Sequence, residues 1–424
     1  MKIVICGLGY VGSTMAACLL RDRHIVVGID VNPDKVAAFL NGTSPVREPG
    51  IDEMLAAGRA DGRLTAGTCI ADHVADSHVI VVSVGTPSQR NGALDLSQVL
   101  AVTAEIGDAL KQRPDMAGQI IVSYRSTMLP GSMDKTVIPA LAEADGSPPG
   151  ERYEVVYNPE FLREGTAVQD YFSPPKIVIG ERTPGSGRRL RVLYGSIEAP
   201  VFKVPIAVAE MAKYADNSFH ALKVAFANEL GRLARVLEIS PQAVADVFVS
   251  DRKLNISPYY LRPGGAFGGS CLPKDVRALT ACFRDNGINA PVIESILNSN
   301  GAHKDFLVDA AMANAPQGGR VLLLGLTFKT DTDDLRESPL VDLAENLLGK
   351  GYQLTIYDPD LKTDELTGTN QCFAKSHLPH LSSLMTDNVE AAARAADLII
   401  VGKPMPGLLD RLSGTTLLMN IDRL

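Results

Sequence analysis

The run Gly268-Gly269-Ser270-Cys271-Leu272-Pro273-Lys274-Asp275 sets a thiol among small residues, with a lysine and an aspartate just after it. Glycine accepts backbone shapes and close approaches that larger residues refuse. A substrate carbon can therefore come near such a sulfur. The neighbouring lysine favours thiolate, the nucleophilic form, over a thiol of ordinary pKa about 8.5. This is the chemistry of covalent capture of an electrophilic carbon. A turn that merely contains a cysteine has the same composition, so other segments must decide.

Gly7-Leu8-Gly9-Tyr10-Val11-Gly12 follows the apolar run Met1–Cys6, and a second apolar run, Ile25–Ile29, ends in Asp30. Strand, G-x-G-x-x-G, helix, strand and acid together form a dinucleotide fingerprint. Gly7 permits the tight turn, Gly9 admits a pyrophosphate, and Gly12 lets helix pack on strand. The helix N-terminus offers N–H groups and a positive dipole end to the phosphates. Asp30 can accept from an adenosine ribose and would repel a 2′-phosphate, which favours NAD over NADP. The alternative is a βα turn that is glycine-rich only for packing.

Further polar groups fall where a ligand could reach them. Lys213, Asn217 and His220 stand at i, i+4 and i+7 of a helical pattern and share one face. They either aim at a common ligand or form a solvated stripe. Gly85-Thr86-Pro87, Arg125-Ser126-Thr127 and Asn158-Pro159-Glu160-Phe161-Leu162-Arg163-Glu164 each follow a strand-like run. Ligands of open parallel sheets bind beyond the carboxyl ends of strands, although caps and turns use the same residue types. Lys329 and Arg336 can bind a phosphate or ribose.

The elements that must position these groups are α/β in pattern. Residues 1 to about 200 read as one α/β domain. Pro205–Ile239 has apolar residues at helical spacing and reads as one long helix, and Ser240-Pro241 starts another. From Gly319 onward, strand-like runs at 320–325, 352–357, 397–401 and 416–420 read as a second α/β domain without the glycine fingerprint. A length of 424 residues suits two or three domains. The net charge of −8 argues against a general nucleic-acid binder. No apolar stretch reaches a membrane span, and Met1 leads directly into a strand without a basic leader. The six cysteines form no C-x-x-C pair. A reducing cytoplasm is therefore expected, with no membrane association. Cys6 and Cys18 read as core. The seven histidines show no metal-ligand spacing, so no metal is expected.

The chain resembles the nucleotide-sugar 6-dehydrogenase family, which includes UDP-glucose and GDP-mannose 6-dehydrogenases. The resemblance runs nearly end to end. It is carried by the glycine fingerprint, Gly85-Thr86-Pro87, Arg125-Ser126-Thr127, Asn158–Glu164, Glu210-x-x-Lys213-Tyr214-x-x-Asn217, Gly268–Asp275 and Lys329-x-x-x-Asp333-Asp334-x-Arg336. Ser44–Gly50, Tyr259–Gly264 and His220 resemble the GDP-mannose branch.

The resemblance implies three domains: an NAD-binding Rossmann-type domain over 1–203, a central helical dimerisation domain with the nucleophile loop over 204–302, and a Rossmann-like nucleotide-sugar domain over 303–424. It implies a four-electron oxidation of a sugar CH2OH to carboxylate with two NAD+. Cys271 would attack the intermediate aldehyde to give a thiohemiacetal, then a thioester that water releases. Lys213 and Asn217 would stabilise the oxyanion. Glu164 and Asp275 are candidates for proton handling, with Thr127 also at the catalytic centre. Tyr10, Val11, Asp30, Lys35, Thr86, Thr127, Lys274 and Arg336 match cofactor positions. Glu164, Lys213, Asn217, His220, Asn228, Tyr259, Tyr260, Arg262, Gly265 and Lys329 match nucleotide-sugar positions. A homodimer or dimer of dimers is implied, with Tyr259, Tyr260 and Arg262 serving the partner subunit. GDP-mannose is the expected substrate. UDP-glucose or an N-acetylated UDP-sugar is the alternative, and a non-catalytic nucleotide-sugar-binding protein a remote one.

Overall fold

The computed structural model describes all residues except 92, 114–118, 151, 258–260, 262–263, 270, 329–331, 365, 367, 406, 413–416 and 422–424. The expected site residues Tyr259, Tyr260, Arg262 and Lys329 lie outside the described residues. The chain divides into two compact units, Met1–His220 and Ala221–Leu424. Among the described residues, no helix is long and apolar enough to cross a membrane.

The first unit is built on an eight-stranded sheet of order β3-β2-β1-β4-β5-β6-β7-β8. Its strands are β1 Lys2–Cys6, β2 Ile25–Ile29, β3 Leu64–Gly67, β4 Val79–Val82, β5 Ile120–Tyr124, β6 Tyr153–Tyr157, β7 Ile177–Glu181 and β8 Val201–Pro205. Helices cover both faces of such a sheet, so its central strands read as unbroken apolar runs. Accordingly β4, β5 and β6 are buried along their whole length. Pairing is parallel from β3 through β6, reverses between β6 and β7, and is parallel again from β7 to β8.

β3, β7 and β8 were not resolved as separate strands from sequence. β3 is short and only half-buried. β8 lies at the sheet edge, and Phe202, Lys203 and Pro205 of its Val-Phe-Lys-Val-Pro are exposed, which breaks the apolar pattern. Strand order changes direction between β1 and β4, and this opens a crevice at their carboxyl ends.

The long helix is Ile206–Val236, within the range expected. The helix after it, Pro241–Ser250, is capped by Ser240, whose hydroxyl accepts from the amide of Ala243 at 3.3 Å. In the second unit a four-stranded parallel sheet of order β10-β9-β11-β12 comprises β9 Arg320–Leu324, β10 Gln353–Tyr357, β11 Leu398–Val401 and β12 Leu417–Asn420. Ser338 caps helix Pro339–Gly349 as its Ser-Pro start suggests. A separate small core of Leu233, Phe283, Ala290 and Ile293 holds the helices of the central segment together.

Candidate active site

Gly7 and Gly12 sit at the crevice between β1 and β4. A Cβ on Gly12 would stand 1.9 Å from the carbonyl oxygen of Gly7, so nothing larger than glycine fits there. Ser83, at the end of β4, donates from its amide to Cys6 and from its hydroxyl to the Gly7 carbonyl at 3.0 Å. The loop is thus clamped to both strands. A Cβ on Gly9 would meet nothing within 4 Å, which leaves open space at the head of helix Tyr10–Arg21. Its first-turn amides have no partners within the helix. An open, amide-rich cradle of this kind fits a pyrophosphate.

Asp30 closes the other side. Its Oδ2 accepts from the Leu8 amide at 2.8 Å and from Lys35 Nζ at 3.2 Å, and its Oδ1 accepts from Asn32 N at 2.9 Å. This carboxylate therefore shapes the glycine loop. Thr86 and Thr127, at the ends of β4 and β5, are joined by a 2.9 Å hydrogen bond from the Thr86 hydroxyl to the Thr127 carbonyl.

Beyond β6 the chain passes through Asn158–Glu164. Arg125 donates to the Asn158 side-chain oxygen and to Tyr194 OH, and Asn158 donates to the Val178 carbonyl at 2.7 Å. These two motif residues stitch strand ends together. Glu160 does something else: its Oε1 lies 2.8 Å from Lys213 Nζ, with both side chains largely buried. Lys213 also stands over the Phe161 ring at 5.5 Å, beside Lys176 at 4.7 Å. One turn along the helix from Lys213, Asn217 is exposed, as is His220. Lys213 and Asn217 thus leave the same helix face, one held by an anion and one open to solvent. Glu164 is exposed as well.

Glu210, one turn before Lys213, is a residue that sequence reasoning gave no role. It is fully buried, and its carboxylate accepts from the amides of Gly131 and Met133 at 2.6 and 2.9 Å. Burial pushes its carboxyl up despite these bonds. It fixes the helix carrying Lys213 to the loop that follows Thr127. A glutamate in the register of the Lys213 stripe was the available signal.

In the second unit, Cys271 is exposed and stands at the head of helix Leu272–Asp285, its carbonyl accepting from the Asp275 amide at 2.9 Å. The positive end of a helix dipole favours negative charge at that position. A Cβ on Gly268 would fall 2.2 Å from the Glu337 carbonyl oxygen, which explains the glycine before the thiol. Asn300 exchanges two hydrogen bonds with the Phe267 backbone, at 2.9 and 2.8 Å, and His303 bonds the Gly264 carbonyl at 2.7 Å. Helix Pro291–Asn314 thereby pins the loop that leads to Cys271 and includes Gly265. Lys274 and Asp275 are exposed and 3.3 Å apart. Arg336 forks onto Asp334 at 2.9 and 2.8 Å. That pairing, with a smaller contribution from Cys271, raises its already high pKa. Asn228 is exposed on the long helix. Burial pushes the thiols of Cys6 and Cys18 far up, which removes them as nucleophiles.

The C-terminal sheet repeats the plan of the cofactor crevice. Asp358 ends β10 as Asp30 ends β2, and it accepts from the Leu326 and Thr327 amides at 2.8 and 3.0 Å. Lys403 is the difference. It is 5% exposed, bonds Asp358, Asp360 and the Thr327 hydroxyl at 2.7 Å each, and fills the space beside Gly325.

Three consecutive family models cover the chain. Residues 1–198 match the NAD binding domain of the UDP-glucose/GDP-mannose dehydrogenase family, 207–302 its central domain and 322–411 its UDP binding domain. The chain belongs to the UDP-glucose/GDP-mannose dehydrogenase family. It is 45% identical over 402 residues to a GDP-mannose 6-dehydrogenase of Pseudomonas putida, covering 95% of this chain and 91% of that protein. It is 43% identical over 406 residues to one of Azotobacter vinelandii, covering 96% and 92%. A crystal structure of a ternary complex of GDP-mannose dehydrogenase from Pseudomonas aeruginosa superposes with a TM-score of 0.94 at 41% identity, covering 99% of this chain and 96% of that one. As a member of this dehydrogenase family, the chain is an NAD-dependent nucleotide-sugar 6-dehydrogenase, and its glycine-loop crevice lies within the NAD-binding domain.

Proposed function

We propose that this family member oxidises GDP-mannose to GDP-mannuronate in four electrons. The observation that carries the choice of sugar nucleotide is its 43–45% identity, over nearly the whole chain, to GDP-mannose 6-dehydrogenases. NAD+, when bound, supplies the hydride acceptor, one equivalent for each two-electron step. The residues of the chain do the rest. The first-turn amides after Gly9 and the Asp30 carboxylate hold and orient the cofactor, with Tyr10, Val11, Lys35, Thr86, Thr127, Lys274 and Arg336 around it. Cys271 attacks the C6 aldehyde as thiolate, and covalent capture retains it between the two oxidations. Lys213 and Asn217 direct positive charge and an amide N–H at the oxygen that becomes negative. Glu164 and Asp275 handle the protons and activate the water that releases the uronate. His220, Asn228, Tyr259, Tyr260, Arg262, Gly265 and Lys329 complete the nucleotide-sugar contacts.

The domain division 1–203, 204–302 and 303–424 belongs to this proposal, as does a cytoplasmic location and a homodimer formed through the central helices. In support of pairing, Val247, Phe248, Val249 and Leu254 are exposed in that segment, Val247 at 74%. Leu222, in the same unit, is exposed as well. An exposed patch of this kind marks an interface more often than a solvated face.

A UDP-sugar is the second reading, and the description of the C-terminal family model as a UDP binding domain favours it. Following NADH with limiting GDP-mannose, beside limiting UDP-glucose, separates the two. Two NADH per GDP-mannose and little response to UDP-glucose is expected. Turnover of UDP-glucose alone would transfer the substrate assignment to the second reading.

A further inference from the structure

Glu48 has no part in the chemistry above, yet its carboxylate joins two segments that do. The side chain is 7% exposed. Its Oε1 accepts from the Ala167 amide at 2.8 Å, and its Oε2 accepts from the Gly165 amide at 2.7 Å and from the Tyr10 hydroxyl. Tyr10 OH also lies 2.9 Å from the Gly165 amide and 3.5 Å from the Arg163 carbonyl. Burying a carboxylate is costly unless its oxygens are hydrogen-bonded, and all of these donors belong to functional segments. Tyr10 opens the helix whose amides form the phosphate cradle. Gly165 directly follows Glu164.

Glu164 is held from both sides. Arg163 before it bonds Asp170 three times, from its amide at 2.9 Å and from its guanidinium at 3.0 and 2.6 Å. Gly165 after it is held by Glu48. One residue between two anchors has a defined backbone position while its side chain stays exposed. Glu48 is itself fixed: Ser44 N donates to Asp52 at 2.7 Å, Val46 N donates to the Ser44 hydroxyl at 3.1 Å, and Ile51 just beyond is fully buried. Burial, and then the Glu48 carboxylate, push the Tyr10 hydroxyl up to about 12, so it remains a donor across the working pH range.

We propose that Glu48 is a positioning residue that ties the cofactor loop, through Tyr10, to the 163–167 segment carrying Glu164, so that cofactor binding and the order of that segment are coupled. This rests on the proton-handling role proposed for Glu164. Coupling through a shared network is a free energy, and it acts in both directions.

Amide hydrogen exchange across 163–170 in the full-length protein, with and without NAD+, tests it together with steady-state kinetics. In the wild type, Gly165 and Ala167 exchange slowly, and NAD+ slows them further. Glu48→Gln places an amide donor against backbone N–H groups, so exchange there rises about tenfold or more and the response to NAD+ disappears. Its kcat falls about tenfold, and its Kd for NAD+ rises by the factor by which NAD+ slows exchange in the wild type. Tyr10→Phe keeps both Glu48–amide bonds, so basal protection survives and only the NAD+ increment is lost. This variant decides the matter should Glu48→Gln fail to fold. Unchanged exchange in Glu48→Gln, or a wild-type NAD+ response in Tyr10→Phe, overturns the proposal. Glu164→Gln separates the two readings. If it turns over normally, the role of Glu164 falls, and the tether is judged by exchange alone. If it is inactive while Glu48→Gln shows faster exchange and full turnover, the positioning role falls.

Discussion

Lys213 Nζ faces Glu160 Oε1 at 2.8 Å, and the two side chains are 7% and 14% exposed. Glu160 holds the lysine ammonium in one direction, as the oxyanion role proposed for Lys213 requires. Glu160 is anchored in turn, since its Oε2 accepts from the Leu162 amide at 2.7 Å.

Removing either partner leaves a buried charge unpaired, which costs about 3–5 kcal/mol when burial is complete. Glu160→Gln should lower the thermal midpoint and reduce kcat by roughly tenfold or more, because Lys213 loses its aim. Lys213→Met should reduce kcat by about 10²–10³-fold through lost oxyanion stabilisation. Calorimetry and initial rates on both variants check this. A full-rate Lys213→Met enzyme would remove the lysine from the mechanism.

Cys271→Ser keeps the loop, the helix start and the glycine contact with Glu337. The serine hydroxyl is a far weaker nucleophile than a thiolate. Complete turnover should disappear while NAD+ and nucleotide-sugar binding, read by titration calorimetry, persist. Uronate formed at the wild-type rate would point instead to oxidation through a hydrated aldehyde.

The C-terminal unit should be sensitive to acid through Asp358. Burial alone would push its carboxyl up, but the hydrogen bond from Lys403 and the amides of Thr327 and Leu326 outweigh it and hold it below the usual range. Its folded pKa is thus below the unfolded value of about 3.9. The stability it contributes is present above that value and is lost as pH falls through the folded one. Thermal melts of wild type and Asp358→Asn should differ by a constant amount near neutrality and converge below about pH 4. A difference that persists undiminished to pH 3 would contradict the linkage.

Val247 is the most exposed of the apolar residues on its helix, at 74%. Val247→Asp should shift a dimer toward monomer in sedimentation velocity, because an interface core does not accept an unpaired carboxylate. An unchanged sedimentation coefficient would place the subunit contact elsewhere.

The features legible in the sequence are those whose cause is local. The glycine loop reads out because turn, helix head and strand end follow one another, and Gly12 is required by a carbonyl five residues earlier. Asp30 was visible from its spacing, and Ser240 and Ser338 from the Ser-Pro pairs they open. Cys271 stood out from the small residues that its neighbours demand.

What the tertiary structure decided are partnerships between segments far apart in the chain. Glu48 reaches Gly165 across 117 positions, Glu160 meets Lys213, Glu210 holds Gly131 and Met133, and Lys403 fills the crevice of the second sheet. The reversal of β7 against β6 belongs to the same class. A helix or strand imposes a period on its own residues. A hydrogen bond between distant segments imposes none, because a buried carboxylate is satisfied by whichever amides the fold brings to it.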